Sequence, residues 1–171
     1  MTSNGPYTEA QNYQSMFDFT DLWGCLPSRD QCPNTISAII NSRPDLTKFS
    51  HILKIAGLES IYGDQQADFT IFVFSDNSFT HESDQFFESM DRSTARNVIR
   101  SCTLKRKIPS EILEYSPSSS FVTVNPASRL TITNINNVTY INHHIMIREK
   151  DILASNGIIH IADGIISVSQ L

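Results

Sequence analysis

Cysteine is scarce in this chain of 171 residues, with three at Cys25, Cys32 and Cys102. Three are too few for a disulfide scaffold, and none stands in a C-x-x-C pair. Cys25 and Cys32 flank a short segment containing Pro27; a small loop disulfide in an oxidising compartment and two free thiols fit that spacing equally. Charge is also sparse. Asp, Glu, Lys and Arg make up 18% of the chain, against about 25% in an average soluble domain. The formal charge of −5 and pI near 5.4 leave no basic footprint for binding nucleic acid or an anionic membrane through phosphates. The six glycines, at 5, 24, 57, 63, 157 and 164, form neither G-x-G-x-x-G nor a phosphate loop, and no Ser stands in G-x-S-x-G. Nucleotide binding and serine hydrolysis therefore lack their usual signatures. No run approaches the roughly 20 apolar residues of a spanning helix, so membrane insertion is not expected. Met1 to Pro6 has neither a charged n-region nor an apolar h-region, so no secretion signal is expected and an intracellular location stays open.

Other residues are abundant. Ile outnumbers Leu by 21 to 10, and 22 Ser with 12 Asn supply a neutral polar surface. β-Branched side chains favour pleated, half-buried strands. The length suits one domain with a tail. Residues 1–33, punctuated by Gly5, Pro6, Gly24, Pro27 and Pro33, read as an N-terminal extension, partly ordered, and residues 34–171 as the domain. Within the extension, Met16-Phe17-Asp18-Phe19-Thr20-Asp21-Leu22-Trp23 concentrates aromatic surface, including the only Trp. Such surface is costly to leave in water, and the segment is expected to dock on the domain or on a partner, docking in cis being favoured.

From Asn34 the pattern turns helical. Asn34 or Thr35 can cap a helix through Ser42, and Leu46, Phe49, Leu53 and Ala56 recur at helical spacing before Gly57. Phe69 to Phe74 reads as a strand buried on both faces. A helix after Asp91 carries Ala95, Val98, Ile99 and Cys102, and Ser110 is a candidate cap for a shorter one. Ser116 to Ser120 reads as a separator between halves. Strands then follow in hairpins: Leu130 and Ile132 alternate with Thr, Asn136-Asn137 turns the chain into Val138 to Ile141, and Asn142-His143 turns it again into His144 to Arg148. Ile158 to Ile161 is a further strand. Helices first and strands after indicate an α+β domain rather than a doubly wound one.

These residues carry a resemblance covering about four-fifths of the chain, from Asn34 to Leu171. Phe69-Thr70-Ile71-Phe72-Val73-Phe74-Ser75-Asp76-Asn77-Ser78-Phe79 resembles the T-hydrophobic-F-A-P-T-[DN]-x-A-F box of fasciclin-type (FAS1) domains at Thr70, Phe72, Ser75, Asp76 and Phe79. Phe74 replaces the usual Pro. Asp151-Ile152-Leu153-Ala154-Ser155-Asn156-Gly157-Ile158-Ile159-His160 and the six residues after it resemble the family's D-I-x-A-[ST]-N-G-V-I-H-V-I-D-x-V-L. The resemblance implies a wedge-shaped β-sandwich with a helical layer, used in adhesion modules such as those of periostin, with no catalytic residue, cofactor or metal. It also implies a cell-surface or matrix protein as partner, an integrin-like receptor among them, or self-association, at an extracellular, cell or particle surface.

Site residues transfer one by one. The family's Asp-Ile element falls on Asp151 and Ile152, where a carboxylate beside an apolar side chain suits bridging a receptor metal; a turn cap at Asp151 and an inward-packed Ile152 are the structural alternative. The family's Tyr-His element falls near Ser101-Cys102, which lacks both residues, so recognition through it is not expected. His160 is implied to be a fold residue, hydrogen-bonded between strand and loop. At Asn156-Gly157 a tight turn with positive φ is expected.

The residues themselves offer little further chemistry. His143 and His144, as neighbours in a strand, would point to opposite faces and could not converge on one ion, and at a turn they read as solvated; Glu111/Glu114 read as solvated charges on a helix face. Cys102 reads as core. Asn137-Val138-Thr139 is a glycosylation sequon at a turn, used only after secretion. The expected function is a non-enzymatic fasciclin-like module for adhesion or for surface and matrix protein interaction. The alternative is a structural or virion-associated protein using the same fold for assembly.

Overall fold

In the structure, a computed structural model, residues 34–166 are described; the readings made for residues 1–33, including Met16 to Trp23 and the Cys25/Cys32 pair, fall outside them. The first helix, α1 (Ile36–Ser42), opens where Thr35 Oγ1 accepts the Ala38 amide at 3.2 Å. α2 (Thr47–Ala56) buries Phe49, Ile52, Leu53 and Ala56 and stops at Gly57, whose φ of 67° is the left-handed C-cap. The Arg96 guanidinium donates to Ala56 O at 2.8 Å, a cation satisfying the last carbonyl of α2. A short α3 (Glu59–Tyr62) follows.

β1 (Phe69–Phe74) buries all but its first residue, as its unbroken aromatic and β-branched run requires. A 3-10 turn (Asp76–Ser78) leads to α4 (His81–Glu88), capped by Thr80, and α5 (Arg92–Ser101), capped by Asp91. α5 packs on α2 and turns at Cys102 into β2 (Thr103–Leu104). After α6 (Ser110–Leu113) come β3 (Ser118–Val122), β4 (Arg129–Ile135), β5 (Val138–Ile141), β6 (Ile145–Ala154) and β7 (Gly157–Ala162). The Asn136-Asn137 turn takes φ of 52° and 66°, and Asn142-His143 takes 53° and 73°. Asn supplies three of these four left-handed positions, which it tolerates better than most residues.

The strands form one mixed sheet in the order β2-β1-β7-β6-β5-β4-β3, antiparallel except where β1 runs parallel to β7. β6 is the junction. Ile145 and Met146 pair with β5, whereas Ile147 to Ala154 pair with β7 across two register shifts. Such bulges bend a strand and let it pass between two sets of partners. The α+β class and the sheet with packed helices are those the resemblance implies.

Three features differ from the sequence reading. Ser118 to Ser120 belong to edge strand β3, because pairing with Arg129–Thr133 overrides the low strand preference of Ser. Pro109, not Ser110, is the N-cap of α6. The hairpin series accounts for β4 to β7 only; the parallel β1–β7 pair joins segments about 80 residues apart, a distance at which no turn signal acts. Phe74, the departure from the motif, lies fully buried with its ring centre 5.0 Å from Phe49, 5.9 Å from Phe79 and 6.4 Å from Phe87.

Candidate functional site

Each motif sends polar side chains to distant helix starts, two of which their own sequences leave uncapped. α2 begins after Leu46, which offers no side-chain acceptor. Asp76 supplies it, taking the Thr47 hydroxyl at 2.6 Å and amide at 3.3 Å on Oδ2 and the Lys48 amide at 2.9 Å on Oδ1. α6 begins after Pro109, equally without an acceptor, and Asp151 accepts the Ser110 amide at 2.8 Å together with its hydroxyl. At α1, Asn156 Oδ1 accepts the Ile36 amide at 2.8 Å. Each bond satisfies an amide with no partner inside its helix.

The rest of the first motif also holds structure. Thr70 is fully buried; its Oγ1 donates to Arg106 O at 2.6 Å and accepts the Ile108 amide at 2.7 Å, pinning the Lys105–Pro109 loop. Phe72 lies 5.3 Å from the His160 ring. The Ser75 amide donates to Ala162 O at 3.2 Å, and Phe79 packs on Phe74 and Phe87 beneath the Lys48 ammonium.

In the second motif, Asn156 is fully buried and its Nδ2 donates to Tyr62 O at 2.8 Å and Asp64 O at 3.0 Å. Gly157 takes the positive φ expected at this turn, 158°, and Asn156 does not. Close approach adds a second reason for Gly157: a Cβ there would lie 2.0 Å from Phe69 O and 2.8 Å from Ile36 Cδ1. His160, also fully buried, accepts the Asp151 amide on Nδ1 at 3.2 Å, so the proton sits on Nε2, 2.9 Å from Ile108 O. Burial pushes its pKa down, against the Ile108 carbonyl and the Asp151 charge. Charging this imidazole would break the bond to Asp151.

Asp151 itself is the exposed member. It sits at the β6 register shift with φ of 59°, a conformation that Asp adopts more readily than most residues. Burial opposes its ionisation, but the Ser110 bonds, His160 and Lys150 outweigh it and hold the carboxyl below its usual pKa. Ile152 is half-buried against the core, while Leu153 in β6 and Ile112 in α6 are 56% and 50% exposed. Lys150 Nζ meets Glu114 at 2.5 Å beside them. The face thus holds an anchored anion on a strand bulge, with exposed aliphatic side chains two residues beyond Asp151 and two beyond its cap partner Ser110. No local pattern in the sequence connects Ser110 with Asp151, 41 residues away.

Elsewhere, Asn137 is exposed in the β4–β5 turn, and Thr139 of its sequon is buried, donating to Asn134 Oδ1 at 2.8 Å. Cys102 is a buried free thiol whose pKa burial raises. Among the described residues no cluster of three His, Cys, Asp or Glu side chains could hold a metal ion, and no helix is long and apolar enough to cross a membrane. An ion-pair network that sequence reading missed joins Arg43 to Asp45 at 2.9 Å and to Glu149 at 3.0 Å, with Arg148 bridging Asp45 and Asp163 at 3.2 Å each. It holds the Asp45 carboxyl down at about 2 through the Arg43 bond.

The family model for the fasciclin domain matches residues 44–168. A solved FAS1 domain pair from the insect cell adhesion molecule fasciclin I is similar with a TM-score of 0.67 and 17% identity over 80% of this chain. The match covers 52% of that structure, so the chain spans about half the length of the pair. No curated protein matches the chain by sequence.

Proposed function

The chain belongs to the fasciclin domain family, and from that premise we propose that it is a non-enzymatic binding module acting in adhesion at an extracellular, cell or matrix surface. The observation that carries this reading is the Asp151 face. Its carboxylate is held ionised and oriented by Ser110 on a strand bulge, so little side-chain entropy is lost when a receptor-bound cation or cationic group meets it. Ile152 anchors the bulge to the core, and Leu153 and Ile112 offer the apolar contact that such an anion needs beside it. The absence of catalysis is proposed on related grounds: Thr70, Asn156 and His160 are fully buried and spend their polar atoms on main-chain groups.

The test is a binding assay of the full chain on cells and on immobilised integrin ectodomain, with and without divalent cation. Asp151→Asn, which keeps a Ser110 acceptor but removes the charge, should weaken cation-dependent binding at least tenfold, or about 1.4 kcal/mol. Leu153→Ser should weaken it less. Unchanged binding by both variants removes this face from the mechanism. Binding seen only between copies of the chain favours assembly as its use.

A further inference from the structure

The two edges of the sheet approach each other. β2 forms one edge and β3 the other, yet the Val124 amide donates to Thr103 O at 2.8 Å and the Asn125 amide to Arg100 O at 3.3 Å. One segment advances as its partner recedes, so the two run antiparallel. Beyond Thr103 and before Val124 they part around an open groove of about 350 Å³, lined by Leu104, Arg106 and Ile108 on one side and Ser120, Phe121 and Val122 on the other.

The groove has backbone, apolar surface and charge to offer. β3 bonds β4 through Pro117 O and Thr123 N, and the alternation of an antiparallel ladder then gives β4 the main-chain groups of residues 119 and 121. Those of Ser120 and Val122 face the groove, and no other strand pairs with this edge among the described residues. Val122 is 56% exposed. Lys105, Arg106 and Lys107, all exposed, form the rim. Lys107 lies 3.6 Å from Asp68, and the Arg106 guanidinium sits 5.9 Å from the Phe121 ring centre. An extended segment with apolar side chains and carboxylates fits such an edge by strand addition.

The chain carries such a segment in Phe17-Asp18-Phe19-Thr20-Asp21-Leu22-Trp23. We propose that this segment occupies the groove of its own domain, its main chain pairing with Ser120 and Val122, its aromatic side chains on Phe121 and Val122, and Asp18 and Asp21 at Lys105 and Arg106. The chain enters the described fold close by. Asn34 O accepts the Ser155 amide at 2.9 Å, the adjacent Asn156 binds Tyr62 O, and the Tyr62 hydroxyl meets Thr103 Oγ1 at 2.7 Å. Residues 24–33 can span up to about 33 Å, more than twice the roughly 14 Å radius of gyration of a domain this size. Docking covers an edge that otherwise invites pairing between copies.

Trp23 is the only Trp, so fluorescence of the full chain reports on the segment directly. The native protein should show blue-shifted emission and weak acrylamide quenching. Lys105→Glu with Arg106→Glu should shift emission to the red and raise quenching severalfold, and adding Asp18→Lys with Asp21→Lys should restore both. Amide exchange at Ser120 and Val122 should run roughly tenfold faster in the Asp18→Lys, Asp21→Lys chain. Emission, quenching and exchange unchanged across these variants, with far-UV dichroism retained, overturn the proposal. Shielding that disappears on dilution also overturns it, because the groove is then filled by a second copy.

Discussion

Replacing Asn156 by Ala should be among the most damaging single changes in this domain. The side chain makes three bonds within one buried turn: it accepts from Ile36 N at 2.8 Å and donates to Tyr62 O at 2.8 Å and Asp64 O at 3.0 Å. Truncation leaves the Ile36 amide and the Tyr62 carbonyl buried without partners, at about 1–3 kcal/mol each, while the less buried Asp64 carbonyl can turn to water. The expected loss is about 4 kcal/mol, a large share of the roughly 5–15 kcal/mol that stabilises a domain of this size. Urea unfolding followed by far-UV dichroism measures it, as a lower midpoint at an unchanged slope. Asn156→Asp sharpens the test. The carboxylate keeps the Ile36 bond but turns an acceptor toward two carbonyls, so at neutral pH it should cost at least as much as Ala. Lowering the pH to protonate the new carboxyl should return part of the loss. A loss below about 1 kcal/mol for Asn156→Ala would refute the reasoning, since it would mean that these backbone groups find other partners.

Further expectations rest on the same geometry. Asp76→Ala removes the side-chain cap that α2 receives from Asp76 and should lower stability by about 1–2 kcal/mol, with Asp76→Asn recovering about half, measured by urea unfolding. His160 is held below its unfolded pKa of 6.5 by burial, so its contribution to stability is full above that pH and is lost as pH falls through the lower folded value. A pH series of unfolding free energies should show this slope, at most about 1.4 kcal/mol per pH unit, and His160→Gln should flatten it. Gly157→Ala sets a methyl against Phe69 O and should lower the melting temperature by more than about 5 °C in a thermal scan, because the neighbour is backbone in the β1–β7 pair.

The elements legible in the sequence are those whose signals are local. α2 shows itself through apolar spacing and a Gly that accepts left-handed φ, β1 through six apolar or β-branched residues, and the β4–β5 and β5–β6 turns through Asn. α4 escaped because only Phe87 in it is buried, so it carries no apolar stripe. β3 escaped because Ser says little until a partner strand is beside it.

The motifs divide in the same way. Residue order alone placed Asp76, Asp151, Asn156 and His160 in recognisable strings and so determined the family and the α+β class. It did not say what those side chains hold. Asp76 reaches a helix start 29 residues back, Asp151 one 41 residues back and Asn156 one 120 residues back. Apolar periodicity and turn chemistry act over a few residues and survive in one dimension. A hydrogen bond between a motif side chain and a distant helix exists only once the parallel β1–β7 pair and the bulges of β6 have brought the two together, and that was decided by the tertiary structure.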